Sequence, residues 1–300
     1  MTARLPIAKT YKLFIAGQFP RSESGRSVRI ADGAGNTIAH TSQASRKDLR
    51  NAVEAAVGAQ PKWAASTAYL RAQILYRLAE MMEGKGAELD AAIALGRASG
   101  ASKRVGARSE VPVAIDRVVH YAGWADKFPQ VLGCANPVAG PYHNFTIPEA
   151  LGIVGVVCPD EHPLLALVSL VAPAICAGNA CVVLASPTNP IPACILAEAI
   201  VTSDMPPGVI NLLTGFRDEL VPHFASHREI GAIHAAGVSL EHRRALELGA
   251  AENLKRVVVR DVSTGTGTRS GGWFDDDACE SPGWIEPFVE FKTIWHPSSA

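Results

Sequence analysis

The chain has 300 residues, 48% of them apolar, with 28 Lys and Arg against 29 Asp and Glu and a formal net charge of −1. That content builds one large or two modest cores, and the scatter of the basic residues excludes the electrostatic footprint of nucleic-acid binding. Six cysteines form no Cys-x-x-Cys pair and mostly sit in apolar runs, residues 1–11 hold no signal-length apolar core, and no uncharged apolar run reaches membrane-spanning length; a soluble cytoplasmic protein with reduced thiols and no membrane contact is expected.

Residues 12–16, followed by Gly17 and Phe19, read as a short strand and turn, and 28–30 with 37–41 as a hairpin around Asp32-Gly33 and Gly35-Asn36. Helical periodicity then runs over 48–62, with Leu49, Ala52, Val53, Ala56 and Val57 on one face, and over 69–85, with Leu70, Ile74, Leu75, Leu78 and Met81 on another. Helix also fits 88–100 and 110–127, the latter through Val113, Ile115, Val118, Val119 and Ala122. Between 133 and 146 the composition changes to Gly, Pro and alternating polar and apolar residues, the pattern of an exposed hairpin arm.

From there strands and helices alternate. Strands at 151–158, 180–184, 210–213, 229–234 and 255–260 are interleaved with helices at 164–177, 192–202, 218–226 and 240–248. Continuous apolar strands between helices predict an α/β fold, a Rossmann-like parallel sheet covered by helices. A segment rich in Gly, Ser, Thr and Asp, 262–287, falls short of the roughly 50 residues of a domain and is expected to be a loop or disordered bridge before a last strand at 288–295.

Several stretches taken together, 12–17, 149–157, 163–179, 206–215 and 253–257, with 121–127 in support, resemble the aldehyde dehydrogenase superfamily. The resemblance covers most of 10–260 and the last strand. In particular it is similar to the truncated dehydrogenase-like unit that accompanies, or is fused to, an active enzyme of that family. It implies a cofactor-binding domain over 1–261 with an oligomerisation arm inserted at 133–146, a linker at 262–287, and a C-terminal oligomerisation strand at 288–300, with the catalytic domain absent. The start at Met1 and the closing strand before Ala300 further suggest a complete unit.

The family's chemistry needs an accessible low-pKa thiol, a neutral donor aimed at the oxyanion and a carboxylate base. No Gly-Gln-x-Cys loop occurs in this sequence. In the segment Pro159-Asp160-Glu161-His162-Pro163 the resemblance places Glu161 where the family has its oxyanion-binding asparagine, and a carboxylate there repels an oxyanion. Arg260 falls at the place of the catalytic glutamate, and a guanidinium cannot act as a base at neutral pH. Ala185 stands in the stretch that would grip the adenosine ribose, and Val238 follows Gly237 where the family opens a phosphate-facing turn. No catalytic residue, bound cofactor or metal is therefore expected, and helix-end amides alone leave only a minor prospect of NAD binding.

Other polar clusters have plain explanations. Asp275-Asp276-Asp277-Ala278-Cys279-Glu280 reads as a solvated acidic loop rather than a metal site or reactive thiol. His223 and His227, four apart on a helix, lack a third ligand and read as surface or capping residues. Asp160, Glu161 and His162 lie at a strand end where ligands often bind, and decay of an unused loop accounts for them more simply than a new ligand.

The arm and last strand carry the opposite weight, because unpaired strand edges favour another chain. Val138, Tyr142, Phe145, Phe288, Phe291, Ile294 and Trp295 are the expected interface residues, against the alternative that arm and strand close on their own chain. The expected function is a non-catalytic subunit in a homo-oligomer, or in a hetero-oligomer with an active aldehyde dehydrogenase. Alternatives are NAD-dependent aldehyde oxidation with the catalytic cysteine supplied by a partner, other oxidoreductase chemistry, and a nucleotide sensor in the degenerate crevice.

Overall fold

The structure is a computed structural model and describes residues 7–32, 34–98, 109–262 and 272–298. A small sheet begins the chain: β1 (Lys9–Tyr11), β2 (Ser27–Ala31) and β3 (Thr37–Ser42) pair in the order β1-β3-β2. Residues 12–16 are not a regular strand. Phe14 instead exchanges backbone hydrogen bonds with Leu212, at 2.9 and 2.7 Å, before a turn at Ala16 and Gly17, both at positive φ.

Four helices follow, α1 (Arg46–Ala64), α2 (Ala68–Gly84), α3 (Gly86–Ala98) and α4 (Glu110–Trp124), then a single turn α5 (Phe128–Leu132). Each of the first two starts where the sequence supplies a cap. Ser45 and Asp48 form a reciprocal capping box on α1, and Thr67 accepts from Leu70 N on α2. The expected faces are buried except at their margins: Val57, Leu70 and Val119 are exposed, while Tyr121, outside the expected stripe of α4, is fully buried.

The arm is β4 (Cys134–Ala135) and β5 (Tyr142–Ala150). The alternating part comprises β6 (Ile153–Val157), α6 (Leu165–Cys176), β7 (Ala180–Leu184), α7 (Ile191–Thr202), β8 (Ile210–Leu213), α8 (Arg217–Ser226), β9 (Ala232–Ala236), α9 (Leu240–Asn253) and β10 (Arg256–Arg260). Its five strands form one parallel sheet in the order β10-β9-β6-β7-β8. The Phe14 bridge covers the β8 edge. Strand β9 lies later than expected because a turn closes first, with Ile230 N donating to His227 O.

Successive side chains of these strands enter opposite cores. Val154, Val156, Cys181 and Val183 face α2, α4, α6 and α7, whereas Ile153, Val157, Val182 and Leu184 face α1 and α8. Every residue of α6 is buried and all but Ser169 are apolar, so this helix sits between the sheet and an outer helical layer. Gly155 is needed on the other face, where an added Cβ would lie 2.8 Å from the Phe224 ring.

The expected bridge at 262–287 needs correction over its described part; 263–271 lie outside the described residues. A short helix α10 (Asp276–Cys279) and two 3-10 turns (Pro282–Trp284, Glu286–Phe288) lead into β11 (Val289–Pro297). Trp273, Cys279, Trp284, Ile285 and Phe288 are all buried in the main core. Two tryptophans and an isoleucine supply apolar anchors that the polar composition around them conceals.

Candidate functional site

From β6 the chain moves to β7 and β8 on one side, then returns to place β9 and β10 on the other. The switch point lies between β6 and β9, where open α/β sheets hold their ligands. A cleft of about 430 Å³ opens there, lined by Pro159, Asp160 and Glu161 after β6, by Ala236 and Gly237 after β9, by Arg260, Asp261 and Val262 after β10, and by Trp273.

The polar residues expected to cluster at the end of β6 are separated into different tasks. Asp160 receives Arg217 Nη1 at 2.8 Å and the hydroxyls of Ser186 and Thr188 at 3.2 and 3.1 Å, so it ties the ends of three elements together. Ser186 and Thr188 thus fill the stretch that the resemblance assigns to ribose binding with an internal network beside the buried Ala185. His162, at positive φ, lies 3.3 Å from the buried Glu110 carboxylate, whose other oxygen accepts from Leu164 N and Leu165 N at the start of α6. Glu161 remains exposed on the cleft wall.

Gly237 has φ +59°, and an added Cβ would come within 2.6 Å of Pro159 Cβ. The glycine is held by this close approach. Val238 packs against the core shared with α1 and α8, and Ser239 caps α9 by accepting from His242 N.

Arg260 faces inward. Its Nε donates to His234 Nε2 at 3.1 Å, its guanidinium stacks 4.3 Å from the centroid of the Trp284 ring, and Nη2 reaches Gly283 O at 3.3 Å. Fully buried His234 donates from Nδ1 to Leu170 O at 2.8 Å, which fixes the neutral tautomer. Burial, reinforced by the Arg260 charge, pushes its pKa down to about 3.

A second arginine completes the hold on 272–288. Arg117 is fully buried, and its guanidinium donates to Glu280 at 2.9 Å, Ser169 Oγ at 2.9 Å, Asp276 at 3.0 Å and Trp273 O at 3.2 Å. Tyr121 OH donates to Cys279 O at 2.8 Å, and His120 lies 3.2 Å from Glu280. The acidic run is therefore not a solvated loop. Asp276 and Glu280 neutralise a cation that α4 would otherwise bury alone.

Among the described residues, this lining offers an anionic dinucleotide no uncommitted cation. Asp160, Glu161 and Asp261 face the cleft, while Arg217 and Arg260 are committed to Asp160 and to His234 with Trp284. The thiols offer no nucleophile there either. Burial raises the pKa of Cys158, Cys176 and Cys194 to about 12 and also pushes up Cys181 and Cys279, while Cys134 is exposed on the arm. No group of three or more metal-ligating side chains occurs among the described residues.

The arm and last strand pair with one another along their whole length, from Val289 opposite Ala150 to Pro297 opposite Tyr142. They form a three-stranded sheet in the order β11-β5-β4, so β11 keeps one open edge. Register places Tyr142, Phe291 and Trp295 on one face, all exposed, with the Tyr142 and Trp295 rings in edge contact at 5.7 Å. Phe145 and Ile294 oppose each other on the second face, and Val138 lies half-buried in the connecting turn. Phe288 is fully buried in the chain's own core and leaves the set available to another chain.

The Arg117 cluster and the anchoring role of Arg260 were not anticipated from sequence. The available signals were an arginine within the apolar face of α4 and tryptophans in an otherwise polar segment. No helix among the described residues is long and apolar enough to cross a membrane.

Comparison with known proteins agrees with this architecture. Residues 20–260 match the model of the aldehyde dehydrogenase family. The mitochondrial benzaldehyde dehydrogenase of Antirrhinum majus is 31% identical over 258 residues, covering 85% of this chain and 47% of that protein. Retinal dehydrogenase 2 of Gallus gallus is 33% identical over 262 residues, covering 86% and 49%. A putative aldehyde dehydrogenase from Burkholderia cenocepacia superposes with a TM-score of 0.77 at 27% identity, covering 85% of this chain and 51% of that one. The chain thus spans about half the length of the relatives it matches, and it belongs to the aldehyde dehydrogenase family.

Proposed function

We propose that this chain is a non-catalytic aldehyde dehydrogenase-like subunit, cytoplasmic and without a bound cofactor. It serves assembly, either with copies of itself or with an active aldehyde dehydrogenase. One observation carries the reading: Arg260, at the place the resemblance gives to the catalytic base, clamps His234 and Trp284 and so holds the C-terminal segment on the sheet. A side chain used this way neither accepts a proton nor frees the cleft for hydride chemistry. The neighbouring β11-β5-β4 sheet supplies the surface for assembly, through its open edge and the exposed aromatic face of Tyr142, Phe291 and Trp295.

Purification of the chain alone, and of the chain co-expressed with an aldehyde dehydrogenase from the same source, tests the proposal by sedimentation velocity and by aldehyde-dependent NADH formation. The expected result is an oligomer or a mixed complex, no NADH formation by the chain alone, and loss of association in a Tyr142→Asp, Trp295→Asp double variant. A monomer without effect on the enzyme, or turnover by the chain alone, overturns it.

A further inference from the structure

On the opposite side of the sheet from the Arg117 cluster, α1 packs against α8 beside a separate, half-open surface cavity of about 230 Å³. Its wall carries Arg46 and Arg50 from α1, His223 and Ser226 from α8, and His227 and Arg228 just beyond it, with Leu49 as floor and no carboxylate in the lining. Among the described residues neither Arg46 nor Arg228 enters an ion pair, and Arg50 has only the exposed Glu54 at 3.4 Å. His227 Nδ1 is buried without a hydrogen-bond partner. Arg46 and Arg228, exposed and without an ion-pair partner among the described residues, and the Glu54-paired Arg50 line one cavity, and a bound anion offsets their mutual repulsion.

The C-terminal end of α8 would itself repel an anion, because its last carbonyls carry negative partial charge. Here that charge is answered from behind, since Lys255 Nζ donates to Phe224 O at 3.0 Å and His227 O at 2.8 Å. The first turn of α1 beside Arg46 is already capped by the Ser45 hydroxyl and the Asp48 carboxylate, so the arginines and histidines carry the site.

From this geometry we propose that the α1/α8 cavity is a binding site for a small dianion of the phosphate class, with Arg46 and Arg228 as its principal ligands and His223 and His227 as donors. The histidines make binding sensitive to pH. Burial lowers both pKa values, followed by the Arg46 charge for His223 and the Lys255 charge for His227, with Glu229 and Glu54 acting in the other direction on His227. They are neutral in the empty site at neutral pH, and a dianion favours their protonated forms, so affinity rises as pH falls.

Isothermal titration with sulfate, which stays dianionic throughout, tests the site at pH 6 and pH 8. Binding is expected to weaken about threefold or more at pH 8, and to weaken about tenfold or more at pH 6 in an Arg46→Gln, Arg228→Gln double variant. An unchanged thermal melt of the ion-free variant confirms that the fold is intact. Inorganic phosphate and adenosine 5′-monophosphate compared at pH 8 distinguish the source: tighter binding of the nucleotide assigns a phosphate monoester, and equal or weaker binding assigns the free anion. No sulfate binding at pH 6, or binding retained in the double variant, overturns the proposal.

Discussion

Replacing Arg117 with methionine isolates the device that holds 272–288 on the domain. The native guanidinium is fully buried and donates to two carboxylates, one hydroxyl and one carbonyl. Methionine keeps much of the side-chain length and apolar packing but removes every one of these bonds. Asp276 is half exposed and recovers hydration on the loss, whereas the Glu280 side chain is only 20% exposed and keeps just the His120 contact. Removing one partner of a buried ion pair costs about 3–5 kcal/mol, and the exposure of Asp276 places this variant near ~3 kcal/mol. If that loss falls on the segment alone, its open population rises on the order of a hundredfold. Amide hydrogen exchange reads this directly: protection at Cys279, Trp284 and Ile285 should fall by about that factor while β6 and β7 keep theirs. Unchanged protection in the segment, or an equal fall throughout the domain, would refute the reasoning that Arg117 is a local latch.

Two further outcomes follow from the Arg260–His234 cluster and from the thiols. His234 has its folded pKa depressed to about 3 from an unfolded value near 6.5, so the unfolded state binds more protons between those limits and stability is lost progressively as pH falls through that window. From this residue alone, stability at pH 5 should be about 2 kcal/mol lower than at pH 7, measured by urea denaturation, and a His234→Leu variant should flatten the slope; a wild-type curve without that slope contradicts the buried neutral assignment. A thiol-reactive dye should label exposed Cys134 rapidly and leave Cys158, Cys176, Cys181, Cys194 and Cys279 slow. Fast labelling of Cys279 in the wild type would show that the segment does not pack, while Arg117→Met should accelerate that residue selectively.

The sequence by itself determined the parallel α/β domain. Its strands are continuous apolar runs, and period and length separate them from helices whose starts carry Ser45 and Thr67 as caps. The resemblance also directed attention to Glu161, Ala185, Val238 and Arg260 as departures, because each is a change of residue type at a recognisable place. What those residues do instead depended on contacts made across long stretches of chain. Arg260 meets His234 and Trp284, and Arg117 meets Asp276 and Glu280, only once β9, β10 and α4 have been brought together. The span 262–287 reads as a bridge because polar composition normally signals solvation, yet α4 buries a charge that needs carboxylates and the sheet leaves apolar space that Trp273, Trp284 and Ile285 fill. The same limit applies to the arm and the last strand. Alternation predicts that they are strands but carries no partner, and the antiparallel register from Val289 to Pro297 assigned them to each other. Local pattern sets which element a segment becomes; the desolvation of charges and the pairing of edges, which are properties of the assembled chain, decided what each element holds.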